Sequence, residues 1–169
     1  GKIFFFLNDG VGSFDAPLNL AGPVEPSDIV VEDFSGDGIP DLALLSRSEG
    51  NLVLWENRGD VMFVKKSVIP VGLRPAHLAA ADFDLDGNLD LAVSGAEAQV
   101  SLFFNPNGII SISPVKYPLP DTASALVVVD LDLDRYPDLL VPRSDGEVGA
   151  LINDGGGVFS TTLSFGQIS

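Results

Sequence analysis

Three stretches of this chain set carboxylates at alternate positions within nine residues. They are Asp33-Phe-Ser-Gly-Asp-Gly-Ile-Pro-Asp41, Asp82-Phe-Asp-Leu-Asp-Gly-Asn-Leu-Asp90 and Asp130-Leu-Asp-Leu-Asp-Arg-Tyr-Pro-Asp138. If the backbone curls, side chains at positions 1, 3 and 5 turn inward together. A glycine at position 6 permits that curl without steric cost. The carbonyl of position 7 and the carboxylate of position 9 can then close an all-oxygen shell, the chemistry of a hard cation such as Ca2+. The sequence therefore predicts up to three calcium sites. The first uses Asp33, Ser35, Asp37, the carbonyl of Ile39 and Asp41. The second uses Asp82, Asp84, Asp86, the carbonyl of Asn88 and Asp90. The third uses Asp130, Asp132, Asp134, the carbonyl of Tyr136 and Asp138.

These loops differ in strength. The second has four carboxylates and Gly87 at the bend, so it is ranked first. The first substitutes a neutral hydroxyl, Ser35, at position 3. The third carries Arg135 in place of glycine, a residue whose guanidinium could compete for a carboxylate. An EF-hand opens in a similar way but needs a bidentate Glu at position 12 and flanking helices. Position 12 here is Leu44, Val93 or Val141, and the flanks read as strands. Turn-favouring Asp and Gly could also make plain hairpin turns. Uncompensated carboxylates repeated three times argue instead for a cation.

The elements that must hold these loops follow from the spacing. The first aspartates lie 49 and 48 residues apart, and a second marker keeps the same step: Asn8, Asn57, Asn105 and Asn153 are separated by 49, 48 and 48. Between the markers run apolar stretches rich in Val, Ile, Leu and Phe, bounded by Gly, Asn, Asp and Pro. Strands are predicted over 28–33, 41–46, 51–57 and 63–69, then 76–82, 90–94, 99–105 and 110–116. Further strands are predicted over 124–130, 138–142, 147–153 and 158–164, with two more over 2–7 and 14–20. Four short strands per repeat of this length mark a propeller blade. Runs such as Phe4-Phe5-Phe6 and Val127-Val128-Val129 are apolar on both faces, as suits a sheet enclosed by neighbours. The reading is an all-β chain of about three and a half four-stranded antiparallel blades: a half blade over 1–22 and repeats over 23–70, 71–119 and 120–169. Closed propellers need four to eight blades. The array is therefore expected to be completed at its sheet edges, by further blades of a longer chain, by a second copy, or by β-strand addition from another subunit, which if not closed by symmetry would yield a fibre.

Asp-x-Asp-x-Asp-Gly-x-x-Asp-Leu after a Val-rich strand, with Leu-x-Asn-x-Gly-x-x-x-Phe downstream, resembles the FG-GAP/VCBS repeat of integrin-α-type propellers. The resemblance spans essentially the whole chain. It implies calcium in the hairpin joining the first two strands of each blade. It also implies a role in adhesion, in protein or carbohydrate binding, or as an appendage of a secreted enzyme.

Composition narrows the rest. The net charge of −15, from 24 acids and 9 bases, disfavours nucleic acid as a partner. There is no cysteine, which removes disulfides and zinc–thiolate sites. No apolar run approaches the ~18 residues of a membrane span, so membrane insertion is not expected. Gly1–Leu7 reads as a strand, and any export signal would lie outside this numbering. Weak oxygen-ligand sites fill where calcium is abundant, which points to an extracellular or cell-surface setting. The lone histidine, His77, leads into a strand, and catalysis is not expected. Trp55 lies in a repeated apolar strand and reads as core. The reading is thus a non-catalytic, calcium-stabilised module for adhesion or assembly. The alternative is a carbohydrate-binding or accessory module of a secreted enzyme.

Overall fold

The computed structural model describes residues 1–165, with side chains described up to Phe159. Fourteen strands form four antiparallel sheets, and among the described residues there is no α-helix. β1 (Lys2–Phe5) and β2 (Leu18–Ala21) make a two-stranded sheet. β3 (Pro26–Glu32), β4 (Asp41–Ser46), β5 (Asn51–Asn57) and β6 (Phe63–Pro70) make the first four-stranded sheet. β7 (His77–Ala81), β8 (Asp90–Ser94), β9 (Gln99–Phe103) and β10 (Val115–Pro118) make the second. β11 (Val127–Val129), β12 (Asp138–Pro142), β13 (Val148–Asn153) and β14 (Phe159–Phe165) make the third. Each sheet is a simple meander whose strands pair in chain order.

The sheets stack face to face in sequence order, which explains why their strands do not alternate apolar with polar residues. Every residue of β4 and of β8 is buried. In β4, Leu42 and Leu44 pack towards the two-stranded sheet, against Ile3, Phe5 and Leu20. Ala43 and Leu45 pack the other way, against Leu91, Val93 and Phe103 of the second sheet. That sheet repeats the arrangement, with Ala92 and Leu102 meeting Leu139 and Val141 of the third. A strand covered on both faces has no polar face to show, so the period of two disappears. The first strands lie together, β3 beside β7 and β7 beside β11. Asp28 on β3 accepts the N–H of Leu78 at 2.8 Å, and the Ser27 hydroxyl donates to the Pro75 carbonyl at 2.7 Å. Sheets converging on their first strands are the blades of a β-propeller. The chain supplies three and a half of them.

Trp55 is buried as expected, on the face of the first blade that meets the half blade. The largest delays against the predicted strand starts are at β10 and β2, and β11, predicted from 124, starts at Val127. β10 was predicted over 110–116 and starts at Val115. Pro106, the left-handed Asn107 (φ 62°) and Pro114 hold the intervening segment as a loop, and Ile110 is buried between the first two blades instead. β2 starts at Leu18, after Pro17, which has no N–H for the ladder, while Phe14 makes only an isolated bridge to Asn8.

Both ends of the stack present apolar surface. Phe4, Phe6 and Phe14 on the half blade are more than half exposed, and Val127 on the third blade is nearly half exposed.

Candidate metal centre

The three Asp loops join the first two strands of each blade, at the end where the third strand delivers Asn57, Asn105 or Asn153. Hydrogen bonds within each loop recur at fixed positions. The position-1 carboxylate collects backbone N–H groups: Asp33 from Gly36, Asp37 and Gly38, Asp82 from Asp86 and Gly87, and Asp130 from Arg135. The position-5 carboxylate accepts the N–H of position 7, with Asp37, Asp86 and Asp134 taking it from Ile39, Asn88 and Tyr136 at 2.8–2.9 Å. Position 3 is more open. Asp84 and Asp132 each accept one N–H, and Ser35 donates weakly to Asp33 at 3.4 Å.

The ninth aspartates are anchored differently. Asp41, Asp90 and Asp138 are buried. One oxygen of each accepts the N–H of position 2: Phe34 at 3.2 Å, Phe83 at 3.0 Å and Leu131 at 2.7 Å, and in the first loop that oxygen of Asp41 also accepts the N–H of Ser35 at 3.0 Å. The other accepts the N–H of Asn57, Asn105 or Asn153, at 2.8 Å in every case. Each of these aspartates thus ties the loop's start to the third strand of its own blade. A carboxylate oxygen carries two lone pairs, so these bonds leave capacity for a cation.

The loops gather their carboxylates unequally. In the second, oxygens of Asp82, Asp84 and Asp86 lie within 4.8 Å of one another, and in the third those of Asp130, Asp132 and Asp138 do. In the first loop Asp33, Asp37 and Asp41 form no such trio. Electrostatics follow this placement. Burial pushes Asp84 up, reinforced by the charges of Asp86 and Asp82. Burial likewise raises Asp132, helped by Asp134 and Asp138. Burial raises Asp90 to about 6 against the N–H groups of Asn105 and Phe83, and the charges of Asp84 and Asp86 add to the rise. Asp33 runs the other way: burial opposes it, but the N–H groups of Gly38, Gly36 and Asp37 hold it low. Crowded carboxylates with raised affinity for protons are suited to a divalent cation, whose charge would neutralise them. In the third loop, Asp130 Oδ1 is buried without a hydrogen-bond partner, an acceptor that a cation would satisfy.

The model of the FG-GAP-like repeat matches residues 33–93 and again 82–141, two overlapping spans that each run from one Asp loop into the next. The chain belongs to the FG-GAP-like repeat family. No curated protein matches the sequence. Among solved structures, this FG-GAP-like chain is similar to the crystal structure of BBS1N in complex with ARL6DN, soaked with lead. The TM-score is 0.59 at 18% identity, over 89% of this chain and 44% of that one. The mercury-soaked crystal of the same complex gives 0.47 at 16% identity, over 90% and 58%. This FG-GAP-like chain thus spans less than half the length of the first of these, and the likeness is one of fold.

Two features of these FG-GAP-like loops bear directly on stability. Arg135 sits at φ +82° and forms no ion pair among the described residues. Its backbone conformation is one that only glycine adopts freely. Arg135→Gly is expected to raise metal-free stability by about 1 kcal/mol, read as a higher denaturant midpoint at unchanged slope. Asp90 gives a pH signature. Its carboxyl is raised from 3.8 to about 6 by folding, so the folded chain holds this proton more tightly than the unfolded one. Through this group stability falls as pH rises from about 4 to about 6. Thermal melts in EDTA across that window should show Asp90→Asn lacking this component of the slope. Identical slopes in both proteins would refute it.

The sequence identified the asparagines only as markers of the period. The structure gives them contacts with the Asp loops, and their shared 48–49 residue step was the one signal of it.

Proposed function

We propose that this β-propeller repeat module is non-catalytic, binds calcium in its Asp loops and serves adhesion or assembly outside the cell. The observation that carries the calcium reading is the trio Asp82, Asp84 and Asp86, whose oxygens converge around the glycine bend at Gly87. Asp82, Asp84 and Asp86, with the carbonyl of Asn88 and Asp90, would hold the ion in the second loop. The corresponding residues of the third loop, and more weakly those of the first, would do the same. The ion's part is structural: it neutralises the loop and fixes the hairpin between the first two strands of a blade.

Assembly is supported by the apolar faces at the two ends of the stack, with Phe4 and Phe6 on one and Val127 on the other. Exposed apolar faces of this kind mark contact surfaces. The occupant is a second copy or further blades of the same repeat. The module resembles in fold a protein crystallised with a protein partner, ARL6DN, which accords with a binding role. Among the described residues no helix is long and apolar enough to cross a membrane.

Light scattering with calcium and with EDTA tests the reading. The expected result is self-association or partner capture that EDTA weakens. A monomer indifferent to EDTA would overturn it, and glycan binding by such a monomer would favour a carbohydrate-binding module.

A further inference from the structure

The first and second Asp loops each lean on an asparagine from the following blade. Asn105 of the second blade donates from Nδ2 to the carbonyl of Phe34 in the first loop, at 3.0 Å. Asn153 of the third blade donates to the carbonyl of Phe83 in the second loop, at 2.8 Å. These bonds bridge 71 and 70 residues of sequence. Each asparagine also holds its own loop at position 8, with Asn105 on Leu89 and Asn153 on Pro137, both at 3.1 Å. Both are almost fully buried, where a hydrogen bond is strong and an unmade one is costly.

The acceptor's place gives these bonds their meaning. Phe83 stands between Asp82 and Asp84, the first two carboxylates of the strongest trio. Its N–H is held by Asp90, its carbonyl by Asn153, and its ring is fully buried, edge-on to Phe159 of the third blade. Both peptide groups that orient Asp82 and Asp84 are therefore fixed before any ion arrives. The third loop is an internal contrast. Leu131 occupies the same position, and its N–H is held by Asp138, yet the described residues include no following blade to donate to its carbonyl. Leu131 is 38% exposed where Phe83 is 0%.

We infer that Asn105 and Asn153 are positioning residues for cation binding in the preceding blade, so that docking of the next blade raises the affinity of the first and second loops. This rests on the calcium reading of the loops. Asn153 touches no carboxylate of the second loop, so it acts there through the Phe83 carbonyl alone. Pre-setting the ligands lowers the ordering cost of binding, which is how rigid sites gain affinity.

The test is a CaCl2 titration of the whole chain followed by NMR through the position-6 amides. Gly38, Gly87 and Arg135 each donate to the first aspartate of their own loop and report the three loops separately. In Asn153→Ala the Gly87 midpoint is expected to rise about five- to tenfold, the worth of one buried hydrogen bond, while Gly38 stays unchanged. In Asn105→Ala the Gly38 midpoint rises and Arg135 stays unchanged. Asn57→Ala moves Gly38 alone, because the Asn57 side chain donates only to Pro40 of its own loop. Should Asn153→Ala fold poorly, Asn153→Leu keeps the approximate size, removes the donor and adds no buried charge, and the same selectivity is expected. An unmoved Gly87 midpoint in these Asn153 variants, or equal shifts at all three amides, would overturn the inference while leaving the wild-type titration intact. A wild-type chain whose amides ignore calcium would overturn the calcium reading first.

Discussion

Asp90→Ala is expected to cost about 2–4 kcal/mol of folding stability even in EDTA, while Asp84→Ala costs almost nothing there. The two residues belong to one loop but stand in different surroundings. Asp90 is 1% exposed and accepts the N–H groups of Phe83 and Asn105 at 3.0 and 2.8 Å. Alanine leaves both donors buried and unpaired, at about 1–3 kcal/mol each. Part of that loss is offset, because burial already disfavours the Asp90 charge. The net is a large share of the roughly 5–15 kcal/mol that holds a typical domain folded. Asp84 is half-buried, accepts one N–H from Asp86 at 3.1 Å, and its ionised form is disfavoured by burial and by Asp86 and Asp82. Removing it relieves repulsion in the metal-free chain. Urea titrations of both variants in EDTA decide the matter. Equal losses would show that the ninth aspartate has no special structural duty.

Calcium is expected to raise the thermal midpoint substantially, and Asp84→Ala to lose the second loop's share of that rise. An ion that binds only the folded state stabilises it by about 2.7 kcal/mol per site at one hundred times its dissociation constant. For a chain of this size each kcal/mol moves the midpoint by about 2–4 °C, so one filled site is worth about 5–10 °C. Melts with excess CaCl2 and with excess EDTA supply the comparison. In EDTA the wild type and Asp84→Ala should melt at nearly the same temperature. In calcium the variant should fall behind by one site's worth. A wild-type midpoint that ignores calcium would sink the metal reading, and a variant that keeps the full response would remove Asp84 from the ligand set. A magnesium control separates size-selective binding from simple charge screening, since screening does not distinguish the two ions.

Much of this molecule is legible in the order of its residues because its information is local and periodic. A strand is recognisable in Asp41-Leu-Ala-Leu-Leu-Ser46 because a doubly covered strand must be apolar on both faces, and the 48–49 residue step declares the blade. The nonapeptides likewise carry their own turn, since Gly38 and Gly87 provide the positive φ that an inward curl needs. Strand starts were less legible where prolines and Asn107 delay β2 and β10, because a loop that buries Ile110 between blades looks in sequence like the beginning of a strand.

Tertiary structure alone decided which partners the repeated residues have. Nothing in a string of aspartates says that the ninth is buried and bonded to two or more backbone N–H groups while the third position is left open. That division depends on where the third strand returns, 15 or 16 residues later. Nor does the spacing of the asparagines say that Asn105 and Asn153 reach back some 70 residues into another blade's loop. Local sequence sets the residue types of the loops, the turn and the period because these depend on neighbours a few bonds away. Burial, the raised Asp90 and the cross-blade hydrogen bonds depend on stacking one sheet against the next, and they exist only once the blades have docked.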